Sequence, residues 1–319
     1  MKNFFQLTPE RVLAAVEQQG PRTSGYAFAL NSFENRVYDV ELEDGQRKVV
    51  KFYRPGRWSK AALLEEHAFL FELKEAGIGC APPEPIGSSG DTLGELATDD
   101  GPIYFAVAER VRGRVPTEIS DEDLPRVAAA IAELHEVGCE RDCQHRGRLG
   151  SELYGRHALA AIEARGCVPP DLLPEYQARA ERVIAAAVQR VDRTRRHRIH
   201  ADCHIGNLLW KNDAPLFVDL DDFVEGPPIQ DLWLLAGGTD EYGQRRLSIL
   251  CDSYMRVRTL PPDSLDIVPV LRALRVLRYA GWVAARYDDP AFPIAFPDFL
   301  ERRYWQSELR ALDEILVSC

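Results

Sequence analysis

The chain has 319 residues, 45% hydrophobic and 28% charged, the balance of a soluble globular protein with one large domain or two lobes. A formal net charge of −11 argues against nucleic acid or an anionic membrane as the main partner, and any polyphosphate ligand would have to be met by local cations. No signal-peptide pattern, no apolar run of about 18 residues and seven scattered cysteines without a C-x-x-C pair together read as a cytoplasmic protein with reduced thiols.

Thr8, Pro9 and Gly20 bound a short helix over 9–19. Tyr26, Phe28 and Leu30 alternate, as do 37–42 and 48–53, with Asp44-Gly45 between the last two, so 25–53 reads as a small antiparallel sheet. Leu30–Arg36 is then the loop joining its first two strands. Ser59 caps a helix that stops at Gly77, and a Pro-rich connector leads to further strands ending with 103–109. A hinge at 111–114 follows. Beyond it the pattern is helical: a helix opened by Ser120 and ending at Gly138, one over 174–193, and others over 242–257, 265–287 and up to about Val317. A loop at 200–207 and a hairpin through 208–220 interrupt this half. The expected fold is therefore α+β and two-lobed, with a nucleotide-binding lobe over 1–110 and a helical catalytic lobe over 111–319.

The sharpest chemical signal is His200-Ala201-Asp202-Cys203-His204-Ile205-Gly206-Asn207, followed by Phe217-Val218-Asp219-Leu220-Asp221. Phosphoryl transfer from ATP needs a carboxylate to orient the attacking hydroxyl, oxygen ligands for Mg²⁺ and a rigid support for both. Asp202 at a loop apex, Asn207 at the start of one strand and Asp219 at the end of its partner provide them. The hard carboxylate and amide oxygens suit Mg²⁺. Four aspartates, Asp202, Asp219, Asp221 and Asp222, crowd this stretch and call for a compensating cation. The bland alternative is a polar surface turn. A rival reading makes His200, Asp202, His204, Asp219, Asp221 and Asp222 ligands of a two-metal hydrolase. Cys139, Cys143 and His145 would make an incomplete zinc set.

A second constellation is Lys51 in the strand Val49–Tyr53 with Glu66 in the next helix. Glu66 shares a stripe with Ala62, Leu63, Leu70 and Leu73, where a carboxylate is costly unless paired. At about 4 Å such a pair has about 4 kcal/mol of Coulomb energy at an effective dielectric near 20, before desolvation, enough to aim Lys51 at phosphate oxygens. The loop 30–36 would then arch over the nucleotide, with Ser32 beside a phosphate, though it lacks the G-x-G-x-x-G pattern. Asp231 either caps the helix it starts or also braces the 200–207 loop. Arg193, Arg195, Arg196 and Arg198 either compensate a helix C-terminus or form a docking patch.

The loop 200–207 with Asp219 resembles the motif shared by aminoglycoside, choline and homoserine phosphotransferases. Together with Asn31–Tyr38, Val49–Pro55 and Asp289–Pro293, it resembles the bacterial stress response kinase A family over nearly the whole chain. That resemblance implies a cytoplasmic, monomeric serine/threonine protein kinase using ATP and Mg²⁺. It assigns Asp202 as proton acceptor, Asn207 and Asp219 as Mg²⁺ ligands and Ser32 as an ATP contact. Ala201 stands where that pattern has Gly, and Asp219-Leu220-Asp221 stands where eukaryotic protein kinases have Asp-Phe-Gly. A small-alcohol kinase, a nucleotide-binding pseudoenzyme and the hydrolase remain alternatives.

Overall fold

The structure, a computed structural model, describes Phe4 and residues 6–87 and 90–317. In chain order the elements are α1 (Pro9–Glu17), β1 (Thr23–Leu30), β2 (Arg36–Leu42), β3 (Arg47–Phe52), α2 (Lys60–Glu75), β4 (Gly94–Leu96) and β5 (Ile103–Glu109). Then come α3 (Leu124–Gly138), α4 (His157–Arg165), α5 (Leu173–Gln189), β6 (His197–Ile199), β7 (Leu208–Lys211), β8 (Ala214–Phe217) and β9 (Val224–Gly226). The chain finishes with α6 (Ile229–Ala236), α7 (Glu241–Tyr254), α8 (Val268–Arg286), α9 (Ala291–Ala295) and α10 (Arg302–Leu316). They form two compact units: Met1–Pro116 with Gly206–Asp221, and Thr117–Ile205 with Asp222–Cys319.

In the first unit the five N-terminal strands make one antiparallel sheet in the order β1-β2-β3-β5-β4. Gly45, at φ 81°, takes the left-handed position that the β2–β3 turn requires, as Asp44-Gly45 predicts. Alternation buries Val40, Val50, Phe52 and Phe105 on one face against Val12 and Val16 of α1, with the Phe52 and Phe105 rings 5.2 Å apart. On the other face Tyr53 and Ala106 pack with Leu63 of α2, a helix that Ser59 Oγ starts by accepting from the Ala62 amide at 3.2 Å. Ala106 is the cross-strand partner of Lys51, so α2 covers the face that carries this lysine. The β7–β8 hairpin belongs to this unit. The Phe217 amide donates to Gly79 O at 2.8 Å, and a Cβ on Gly79 would lie 2.9 Å from Pro215 O, so only glycine permits the approach.

The second unit is helical. α4 packs on α8, α3 on α7, and α5 on α8 and α10, where Tyr176 meets Trp305 edge-on at 5.1 Å. β6 pairs antiparallel with β9, two three-residue strands too short to show alternation in sequence. A single π-helical wind over Ser151–Arg156 leads into α4, a region that sequence pattern leaves unassigned. Gly155 interrupts its apolar period because a Cβ there would meet Ile184 at 2.7 Å. α3 begins at Leu124 rather than at Ser120: Ser120 Oγ accepts from the Asp123 amide in a preceding turn, and Pro125 occupies the first helical turn. Among the described residues no helix is long and apolar enough to cross a membrane, and the six described cysteines are free.

Candidate active site

In the first unit one ammonium gathers three carboxylates. Lys51 Nζ lies 3.0 Å from Asp219 Oδ1, 3.4 Å from Asp221 Oδ1 and 3.5 Å from Glu66 Oε1. The lysine comes from β3, Glu66 from the apolar stripe of α2 and the aspartates from the turn after β8. Glu66 and Asp221 are buried, at 2% exposure each, whereas the Asp219 side chain is half exposed. Burial opposes the charge on Lys51, but Asp219, Asp221 and Glu66 outweigh it and hold the ammonium well above the usual lysine range.

The backbone explains why Asp219 points where it does. The Val218 amide donates to Asn207 O at 3.0 Å, closing the hairpin so that Asn207 and Asp219 flank the same end. Asp219 then turns at φ 58°, a left-handed conformation tolerated by aspartate. The loop 31–35 is fastened to this corner. Asn35 Nδ2 donates to Asp221 Oδ2 at 3.2 Å, its Oδ1 accepts from the Arg54 amide, and Arg54 grips the carbonyls of Phe33 and Glu34. Ser32 lies half-buried on that loop. Arg57 pairs with Asp221 and approaches Glu34. Lys51, Arg54 and Arg57 thus face Glu34, Glu66, Asp219 and Asp221, one negative charge in excess. That surplus of hard carboxylate oxygens suits a small divalent cation.

In the second unit the loop after β6 is held from below by one buried carboxylate. Asp231, fully buried in the first turn of α6, accepts from the His200 amide at 2.8 Å and the Ala201 amide at 2.8 Å. Its Oδ2 also meets His135 Nε2 at 3.0 Å, while His135 Nδ1 is 2.9 Å from Tyr254 Oη. Gln230 Nε2 donates to Ala201 O at 3.0 Å. Asp231 therefore braces the loop. This clamp holds Ala201 at φ 67°, a strained position for a residue with a Cβ, where glycine would be free. Asp202 follows it, with Oδ1 accepting from Arg275 Nη1 at 2.9 Å and His204 Nε2 3.4 Å from Oδ2. Burial would raise its carboxyl, but His204 and Arg275 win and hold it below the ordinary aspartate range, so it is ionised at neutral pH. Asp222 pairs with Arg278, whose guanidinium lies 4.2 Å over the Tyr154 ring.

The four aspartates are therefore served by side-chain cations: Asp219 by Lys51, Asp221 by Lys51 and Arg57, Asp202 by Arg275 and Asp222 by Arg278. Sequence reasoning missed Arg57, Asn35 and the two α8 arginines. Arg272, Arg275 and Arg278 recur every third residue beside the stripe Leu271, Leu274 and Leu277, a basic edge that was legible. Arg57 and Asn35 sit in loops with no periodic signal. Of the arginine run, Arg198 serves a helix C-terminus, that of α3, donating to Val137 O at 2.9 Å and Gly138 O at 3.3 Å.

Comparison with known proteins gives the family. A family model described as the phosphotransferase enzyme family matches residues 27–262. Stress response kinase A of Salmonella paratyphi A is 34% identical over 307 residues, 96% of this chain and 91% of that protein. Serine/threonine protein kinase RdoA of Salmonella typhimurium is 34% identical over the same shares. Among solved structures, amicoumacin kinase hAmiN in complex with AMP-PNP, Ca²⁺ and Ami superposes with a TM-score of 0.77 at 18% identity, covering 98% of this chain and 96% of that one. The chain belongs to the phosphotransferase enzyme family and is a kinase with the two-lobed α+β fold of that family.

Proposed function

We propose that the chain is a serine/threonine protein kinase that uses ATP and Mg²⁺. In this reading residues 1–110 form the nucleotide-binding lobe and 111–319 the catalytic lobe of a cytoplasmic monomer. Asp202 accepts the proton of the acceptor hydroxyl. Lys51, aimed by Glu66, binds the α- and β-phosphates, with Ser32 and its neighbouring amides alongside. Asn207 and Asp219 hold Mg²⁺, which supplies charge neutralisation on the phosphates when bound. The observation that carries this is the meeting of three elements on one ammonium, Lys51 within 3.5 Å of Glu66, Asp219 and Asp221. The name of one 34%-identical relative, serine/threonine protein kinase RdoA, supports a protein acceptor.

A small hydroxylated acceptor is the second reading, favoured by the fold shared with amicoumacin kinase. Arg275 and Arg278 weigh against a cationic acceptor such as choline or an aminoglycoside, because two guanidinium groups flank Asp202 and Asp222. The test is incubation with labelled ATP and Mg²⁺, with a generic protein substrate and a panel of alcohols in parallel. Label on protein, falling by about 10²–10⁴ in Asp202→Ala with ATP affinity kept, is expected. Label on an alcohol alone selects the second reading. Nucleotide binding without transfer to any acceptor would leave a binding protein in place of an enzyme.

A further inference from the structure

The arginine run before the 200–207 loop has members that the candidate active site does not explain. Arg198 is committed to the end of α3, but Arg195 is exposed and lines a pocket of about 670 Å³ within the helical unit. Its other walls are Glu136, His197, Pro228 and residues 257–262. That volume suits a small organic molecule. Val257, Leu260, Pro261, Pro262 and Pro228 make its apolar side.

Two of the polar lining residues each hold a buried nitrogen with no hydrogen-bond partner among the described residues. His197, 6% exposed, has Nε2 buried and unsatisfied, and so has Arg258 at Nε. Such atoms are rare in folded proteins and call for an explanation. Arg258 uses its two terminal nitrogens on Glu136 Oε1 at 2.7 Å and Cys139 Sγ at 2.8 Å, which leaves its inner nitrogen for something else. Burial, then His135, Arg258 and Arg195, push the His197 imidazole down to about 2, so it offers a neutral N–H donor or acceptor at any physiological pH. Against Arg195 and Arg258 the pocket has one acid, Glu136, which Arg258 already engages. The surplus is positive.

We propose that this pocket is a second ligand site, separate from the residues assigned to phosphoryl transfer, that takes a small organic anion: one phosphate or carboxylate group on a compact apolar body. The anion sits against Arg195, His197 and the inner nitrogen of Arg258, and the apolar body lies on Val257, Leu260 and the prolines. The His197 ring also stands 4.8 Å from His135, which bonds the Asp231 brace of the 200–202 loop. The site thus adjoins the brace.

The probes are phenyl phosphate, benzoate, benzyl alcohol and inorganic phosphate, titrated into histidine-labelled protein without ATP. Imidazole resonances are followed, and His197 is assigned through His197→Gln. A saturable shift of the His197 signal is expected with phenyl phosphate or benzoate, and the stronger of the two identifies the anionic group. Arg195→Glu, at an exposed position and with an unchanged thermal midpoint, should weaken it by about tenfold or more. Equal affinity in Arg195→Glu overturns the proposal. So does binding of benzyl alcohol or of bare phosphate as tightly as the aromatic anion, or the lack of saturation with every probe. Because the readout needs neither nucleotide nor transfer, its failure is distinct from failure of the kinase reading.

Discussion

The surroundings of Lys51 and those of Asp202 solve the same problem, a charged group partly removed from water, in opposite ways. Lys51 is fixed by other charges: Glu66 from the next helix and Asp219 and Asp221 from a distant turn lie within 3.5 Å of its ammonium. Asp202 is fixed by its backbone. Asp231 holds the two amides before it, and Arg275 and His204 touch only its oxygens. Side-chain charges position the lysine, and a buried hydrogen-bond clamp positions the aspartate. Removing a partner from the first arrangement should change electrostatics and ligand binding. Loosening the second should change geometry and turnover.

The sharpest way to break this contrast is Lys51→Met, which keeps an unbranched side chain one atom shorter and deletes the charge. Transfer measured as kcat/KM for ATP should fall by about 10²–10³, since a preorganised donor to phosphate oxygens is lost. Wild-type kcat/KM would remove Lys51 from the site. Asp231→Asn comes next. The carboxamide keeps one acceptor but turns an N–H₂ toward the other amide, leaving a buried donor unmet at a cost of about 1–3 kcal/mol by thermal or denaturant unfolding. If Asp231 braces the catalytic loop, kcat should fall several-fold while the KM for ATP holds. The N-cap of α6 is Pro228 and Asp231 makes no capping bond, so a stability loss with kcat unchanged would leave its clamp a purely structural role. The smallest effect belongs to Ala201→Gly. It relieves about 1–2 kcal/mol of left-handed strain, but frees the unfolded chain by about 0.4–1 kcal/mol and removes a buried methyl worth about 0.8 kcal/mol. The melting curve should therefore move by less than about 1 kcal/mol, and a gain of several would show that the clamp stores more strain than φ 67° implies.

Much of this was legible because it rests on short-range rules. Asp44-Gly45 set the β2–β3 hairpin, Ser59 and Gly77 bounded α2, and a carboxylate stranded in the stripe Ala62, Leu63, Leu70 and Leu73 announced that Glu66 had a partner. The short strands β6 and β9, the π-helical wind at Ser151–Arg156 and the grip of Asn35 and Arg54 on the 31–35 loop were not legible. Three residues carry no period, and a loop hydrogen bond to a residue 186 positions away leaves no local trace.

The sequence by itself determined the periods of helix and strand, the turn chemistry and the kinds of side chain present for phosphoryl transfer, since each depends on neighbours a few positions apart. Only the tertiary structure decided which cation meets which aspartate. Lys51 takes Asp219 and, with Arg57, Asp221; Arg275 takes Asp202 and Arg278 takes Asp222. The physical reason is that Coulomb attraction and hydrogen bonding act over a few ångströms of space, and distance along the chain does not report which groups packing brings that close.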